Sequence, residues 1–360
     1  MTTSIISHIN NGIGHIILNS EKTLNALNQE MVEEMLRLLK LWENDSNVSC
    51  IMLMGSGEKA FCAGGDIKSL YMALKDKTDD SICKTCLNFF ISEYTLDYTI
   101  HTYSKPIVTW NTGITMGGGM GLMNGASHRI VTPDATLAMP EISIGLYPDV
   151  GATWFFNKLT SGLSYFLSLT GARINAQDAL ELGLSDFCLP KTGRDELISK
   201  LGQIKWSKKV EENRKQITKV VKELNIETGI SSLTKPYLEE FSRLDNISCL
   251  KEFIEITKTF TPSPWMDKCL EIFSKGSPSS AGIILEQLKR GRNLNLKEVF
   301  ESELNLSVHC SEKPDFKEGV RALLIDKDQN PQWSPSTHDK VDSAWISSYF
   351  APIDGLKLFH

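Results

Sequence analysis

Apolar positions along the first half of the chain follow two alternating rhythms, which predicts strands and helices in turn. Residues 14–18 read as a strand. Residues 28–42 then carry Met31, Met35, Leu38, Leu39 and Trp42 at helical spacing. Residues 48–54 form a continuous apolar run, the mark of a strand covered on both faces. Helix-like sequence fills 67–103, and 106–110 makes a further buried strand. Residues 113–121 are rich in glycine and lead into a short helix of small residues, and 130–131 and 136–138 supply short strands. After about Pro190 the pattern changes. Charged segments such as 195–224 space their apolar residues helically and give almost no strand signal, so this part is expected to be mainly helical. Residues 277–280 read as a linker or helix start, and 330–335 as irregular chain. The expected division is an α/β part over 1–195 and a helical part over 196–360.

Composition narrows the class. Of 360 residues, 41% are hydrophobic and 23% charged, near globular averages. The charge balance of 38 − 44 = −6 argues against a nucleic-acid partner. No apolar stretch approaches the roughly 18 residues of a spanning helix, so no membrane partner is expected. The eight scattered cysteines predict reduced thiols. Cys83 and Cys86 form one C-x-x-C pair without a second, which reads as chance helical spacing. The seven dispersed histidines form no H-E-x-x-H, and no metal is expected.

Three segments carry candidate chemistry. Phe61-Cys62-Ala63-Gly64-Gly65-Asp66 follows a strand; adjacent glycines permit close backbone approach to a ligand, and Asp66 can cap the next helix. Taken alone it reads as a strand-to-helix turn. In Gly113-Ile114-Thr115-Met116-Gly117-Gly118-Gly119-Met120-Gly121 the glycine triplet brings N–H groups to a helix start, where developing negative charge is favoured. Leu122 stands where G-x-G-x-x-G needs its last glycine, and no Walker sequence occurs. The third segment, Met139 to Gly151, places Glu141 and Asp149 eight residues apart in apolar, Pro/Gly-shaped surroundings, where desolvation can raise a carboxyl pKa. Together they describe an acyl-transfer site. No G-x-S-x-G supplies a serine nucleophile, so a carboxylate must act.

At these residues the sequence resembles the enoyl-CoA hydratase/isomerase (crotonase) superfamily, and more closely its 3-hydroxyisobutyryl-CoA hydrolase branch. The resemblance runs from about residue 5 to 350, through Leu24-Asn25-Ala26-Leu27, the three segments above, and Asp315-Phe316-Lys317-Glu318-Gly319-Val320-Arg321-Ala322-Leu323-Leu324-Ile325-Asp326-Lys327-Asp328. It implies an α/β fold: a crotonase-like ββα spiral core with a mainly helical C-terminal region. It also implies an oxyanion hole from the N–H groups of Gly65 and Gly118, with Glu141 as catalytic carboxylate. Asp149 would be a second acidic residue near the substrate hydroxyl, and Glu93 a further glutamate contacting substrate. The implied activity is hydrolysis of 3-hydroxyisobutyryl-CoA or a related short β-hydroxyacyl-CoA, as in valine catabolism.

Hydratases of the superfamily carry a second glutamate two residues after the triplet; Gly121 stands there, which favours hydrolysis over hydration. Two further departures concern substrate grip: Asn19-Ser20-Glu21-Lys22 lacks the usual Arg-Pro, and Trp110-Asn111-Thr112 is unusual before Gly113. No resident cofactor is expected, since coenzyme A belongs to the substrate. Lys22, Lys59 and Lys68 are candidates for its phosphates. The helical part is expected to cover the acyl pocket, to form a homo-oligomer interface or simply to pack on the core. The absence of an Arg-rich leader leads to a cytoplasmic expectation, with a mitochondrial one for a eukaryotic source.

Overall fold

The computed structural model describes residues 3–79 and 81–359. Two compact units interleave along the chain. The first comprises Met1–Gly65, Thr95–Leu137 and Ile174–Leu233, the second Asp66–Tyr94, Ala138–Arg173 and Thr234–His360. These boundaries differ from a cut at 195/196, because the units gather segments that contact one another and the sequence cut followed only secondary-structure content.

The first unit is built on two sheets. Strands β1 (Ile5–Asn10), β2 (Ile13–Leu18), β3 (Cys50–Gly55), β4 (Ala60–Cys62), β5 (Ile107–Asn111), β6 (Ile114–Met116), β7 (His128–Val131), β8 (Thr136–Ala138), β9 (Ile174–Asn175) and β10 (Phe187–Cys188) follow in chain order. The larger sheet has the order β1-β2-β3-β5-β7-β10, with β1 antiparallel to β2 and the remaining pairs parallel. The smaller has the order β4-β6-β8-β9.

Every residue of β3 and of β5 is buried, as their continuous apolar runs require. Helix Gln29–Glu43 begins where Asn28 accepts from Met31 N, and buries Met31, Met35, Leu38, Leu39 and Trp42. Helices Arg194–Leu201 and Val210–Leu224 contribute Leu197, Leu201, Ile217 and Val221 to one core with Met52, Met54, Val108, Trp110 and Ile130. Part of the expected helical region thus belongs to the sheet-bearing unit.

The second unit is helical. The helix predicted over 67–103 is two, Ile67–Asp76 and Lys84–Thr102, the second belonging to this unit as far as Tyr94. Between them Ser81 N donates to Asp79 Oδ1 at 2.9 Å, a local turn that competes with helical bonding. Cys83 precedes the second helix and Cys86 lies in it; both are buried free thiols, with no strand before them as a redox pair would want. Residues 277–280 prove to be a helix start, Ser277 capping Pro278–Gly291. Helices Leu296–Glu312 and Pro314–Val320 follow, and 330–335 is irregular. No helix of the described residues is long and apolar enough to cross a membrane.

Candidate active site

In the first unit, the two glycine segments form adjoining turns. Asn25 is the clamp for one of them. It is buried at φ 57°, accepts from Ser20 N and Ser56 Oγ, and donates to the Ser56 and Ala60 carbonyls at 3.0 Å each. This fixes the entry to β4. Ala63 N then donates to Leu24 O at 3.0 Å and Leu27 N to Gly64 O at 2.8 Å. The Leu24 to Leu27 motif therefore holds the backbone of Gly64 and Gly65.

Gly64 has φ 109°, and a Cβ there would lie 3.5 Å from Met116 O and 3.9 Å from Gly118 N. The positive φ is what calls for glycine here, since those distances are ordinary van der Waals contacts. A Cβ on Gly119 would come within 2.9 Å of Cys62 Cβ, so a side chain there would push the turns apart. Gly118 opens helix Gly118–Asn124, where its N–H has no carbonyl of that helix to meet. Among the described residues no backbone carbonyl accepts from Gly65 N. Both N–H groups are thus left without a backbone acceptor.

In the second unit, Glu93, Glu141 and Asp149 come together. All three are buried, at 3%, 6% and 5% exposure. Glu141 opens the short turn Glu141–Ile144, closed by Gly145 at φ 72°. Segments distant in sequence wall this turn. Ser277 N donates to Ile142 O at 3.0 Å, and Gly319 packs against Ile144. Asp315 accepts from Ser277 Oγ at 2.6 Å and Ser334 N at 2.8 Å. The C-terminal motif thus holds the turn that carries Glu141.

Burial first, then the Asp149 charge, pushes the Glu93 carboxyl well above the ordinary range. The same two causes, with Glu93 adding to them, do so for Glu141. Asp149 is raised by burial to about 6, less than its surroundings alone would give, because Tyr94 donates to it. The three titrate as a coupled set. Glu141 Oε2 is buried and has no hydrogen-bond partner among the described residues. An unsatisfied buried acceptor of that kind can act on a bound acyl group or a water.

Four further residues adjoin the carboxyl cluster. Tyr94 Oη donates to Asp149 Oδ2 at 2.5 Å and lies 2.6 Å from Ser307 Oγ. Tyr147 Oη lies 2.9 Å from the same Ser307 Oγ and donates to Glu303 O at 2.8 Å. Glu303 is fully buried, its carboxyl raised by burial to about 8. The signal available in the sequence was a polar pair at i, i+4, Glu303 and Ser307, on a helix otherwise lined by Val299, Phe300, Leu304 and Val308. Lys22, Lys59 and Lys68 are exposed.

The enoyl-CoA hydratase/isomerase family profile matches residues 13–350. The chain is 36% identical over 345 residues to the mitochondrial 3-hydroxyisobutyryl-CoA hydrolase of Gallus gallus, covering 95% of this chain and 87% of that one. It is 36% identical over 341 residues to the mitochondrial protein of the same name from Homo sapiens, covering 94% and 86%. Its fold superposes on a crystal structure of a carnitinyl-CoA dehydratase from Mycobacterium thermoresistibile with a TM-score of 0.87, 28% identity and 98% of each chain covered. "Mitochondrial" is said of those two relatives, and nothing in them supports the cytoplasmic expectation for this chain.

Proposed function

Because the chain belongs to the enoyl-CoA hydratase/isomerase family, we propose that it hydrolyses 3-hydroxyisobutyryl-CoA, releasing the hydroxy acid and free coenzyme A. The observation that carries this reading is Glu141, a buried carboxyl of raised pKa with an oxygen left unpaired. Relatives at 36% identity that are named for this hydrolysis support the acyl group and the reaction. Gly121, where hydratases place a second glutamate, supports hydrolysis over hydration.

In the proposed reaction the N–H groups of Gly65 and Gly118 stabilise the negative charge that develops on the thioester oxygen. One such donor typically lowers the barrier by about 2.7–4 kcal/mol. Glu141 acts on the carbonyl carbon. As nucleophile it forms a mixed anhydride and expels the thiolate, after which water cleaves the anhydride; as general base it removes a proton from the attacking water. Hydroxylamine added during turnover separates the routes, since only the anhydride yields a hydroxamate on the Glu141 peptide. Asp149 accepts the β-hydroxyl, and Glu93 orients it. Coenzyme A enters and leaves with the substrate, so the chemistry calls for no resident cofactor. This activity fits a step of valine breakdown, and the names of the relatives favour a mitochondrial setting.

The test is thiol release from 3-hydroxyisobutyryl-CoA by the wild type and Glu141→Gln. Turnover should fall at least about 1,000-fold in the variant while the ester still binds. Equal turnover in both would overturn the assignment. Loss of crotonyl-CoA absorbance without thiol release would make the protein a hydratase, the chemistry closer to the dehydratase whose fold it shares.

A further inference from the structure

Asp149 is followed by Val150 at φ 53° and Gly151 at φ 83°. The left-handed region is unfavourable for a β-branched residue, so this bend must be held from outside. One side chain adds to the backbone bond from Ala152 N to Asp149 O at 2.8 Å. Glu303 Oε2 accepts from Gly151 N at 2.7 Å, and Glu303 Oε1 from Thr153 N at 3.1 Å. Glu303 belongs to helix Leu296–Glu312 of the C-terminal region, 150 residues away in sequence from the Thr153 it holds.

One turn further along that helix, Ser307 reaches the carboxylate itself through Tyr94. A tyrosine has one hydroxyl proton. Since Tyr94 gives its proton to Asp149 Oδ2, the 2.6 Å contact requires Ser307 to donate to Tyr94. The Tyr147 hydroxyl, 2.9 Å from Ser307 Oγ, gives its own proton to Glu303 O. The hydroxyls of Ser307 and Tyr94 thus donate in one direction, ending on Asp149, and the first bond polarises the second. Rotation of the Asp149 carboxylate is opposed at Oδ2, and its backbone is fixed just beyond.

We infer that Tyr94 and Glu303 are positioning residues for Asp149: together they orient its carboxylate so that the other oxygen meets the β-hydroxyl of the acyl group. The helix Leu296–Glu312 therefore sets the preference for hydroxylated over plain acyl thioesters. The inference rests on the proposed contact of Asp149 with that hydroxyl. Glu93 and Glu141 are the carboxylates coupled to Asp149, and Tyr94, Tyr147, Glu303 and Cys310 are the other titratable groups its charge reaches. Against these acidic neighbours the Tyr94 hydroxyl favours the ionised carboxylate. Its loss should move the Asp149 titration upward.

The full-length wild type, Tyr94→Phe and Ser307→Ala are compared on 3-hydroxyisobutyryl-CoA and isobutyryl-CoA, which differ only in the hydroxyl, across about pH 5 to 9. For Tyr94→Phe, kcat/KM on the hydroxy ester should fall about 10- to 100-fold, as for loss of a bond to a charged group. Isobutyryl-CoA hydrolysis should change less than about twofold, and the acidic limb for the hydroxy ester should move to higher pH. Ser307→Ala should give a smaller loss of the same selectivity. Equal losses on both esters with an unmoved pH limb would reduce Tyr94 to a packing residue and overturn the inference. A wild type that releases no thiol from the hydroxy ester would overturn the functional reading itself, and that is seen before any variant is measured.

Discussion

Gly145→Ala tests whether the C-terminal motif really holds the catalytic turn. Gly145 ends the turn Glu141–Ile144 at φ 72°, its N–H donating to Glu141 O. A Cβ at that position would fall 2.6 Å from Phe316 N and closer still to the Asp315 carbonyl. These are backbone atoms at the start of helix Pro314–Val320, so no side chain can swing aside. Two costs follow. The left-handed conformation disfavours a residue with a Cβ by about 1–2 kcal/mol. Overpacking against a fixed neighbour adds about 1–3 kcal/mol. Together they give about 2–5 kcal/mol, which for a unit of this size lowers Tm by roughly 4–20 °C.

A second glycine isolates the clash. Gly355 has φ 75° and nothing within 4 Å of a built Cβ, so Gly355→Ala bears the conformational cost alone. The difference between the two variants should be about 1–3 kcal/mol. The rate discriminates further. Relieving the clash shifts the turn that carries Glu141, and a displacement near 1 Å can cost about 100-fold in turnover. Gly355→Ala should leave kcat within about twofold of wild type. Thermal melts and thiol-release kinetics on the three proteins provide the measurement. If Gly145→Ala melts and turns over like Gly355→Ala, the Asp315 segment does not set the catalytic turn.

Three further outcomes are expected. The rate on 3-hydroxyisobutyryl-CoA should rise with pH through an acidic limb above the ordinary carboxylate range, near pH 6 if Asp149 at about 6 governs it; a limb near pH 4 would contradict the burial argument. Glu303 is raised from 4.5 to about 8, so the stability it contributes is complete below about pH 4.5 and is lost as pH rises through about 8, by up to 3.5 × 1.36, or about 5 kcal/mol. Urea unfolding of Glu303→Gln should show a shallower decline over that window, and an unchanged slope would refute the assignment. Asn25→Ala deletes four buried or half-buried hydrogen bonds around Ser20, Ser56 and Ala60 and should cost at least about 3 kcal/mol; a stability within about 1 kcal/mol of wild type would show that Asn25 does not fix the entry to β4.

What was legible in the sequence was local. The apolar runs of β3 and β5 and the spacing of Met31 to Trp42 depend on neighbours within one element, and a periodicity records those directly. The break at 77–83 was missed because a helical rhythm on either side hid an Asp79–Ser81 turn. Glu141 and Asp149 could be picked out as carboxyls in apolar surroundings, but the turn of Glu141 is walled by helices at 277 and 315 and that of Asp149 by the helix at 296–312, over a hundred residues away. No local pattern encodes that.

In the C-terminal region, sequence pattern and packing carry different information. Its motif at 315–328 stood out as a string without a function, and the helix before it did not stand out. Contacts assign work to both: Asp315 and Gly319 hold the turn of Glu141, while Glu303 and Ser307 hold Asp149. A buried carboxyl facing two N–H groups, and a buried hydroxyl between two tyrosines, are expensive features for simple packing. Packing alone would have been served by leucines at 303 and 307. The polar choice makes sense where an acidic side chain must be held in one orientation against the repulsion of two neighbouring carboxyls, which is the situation of Asp149 beside Glu93 and Glu141.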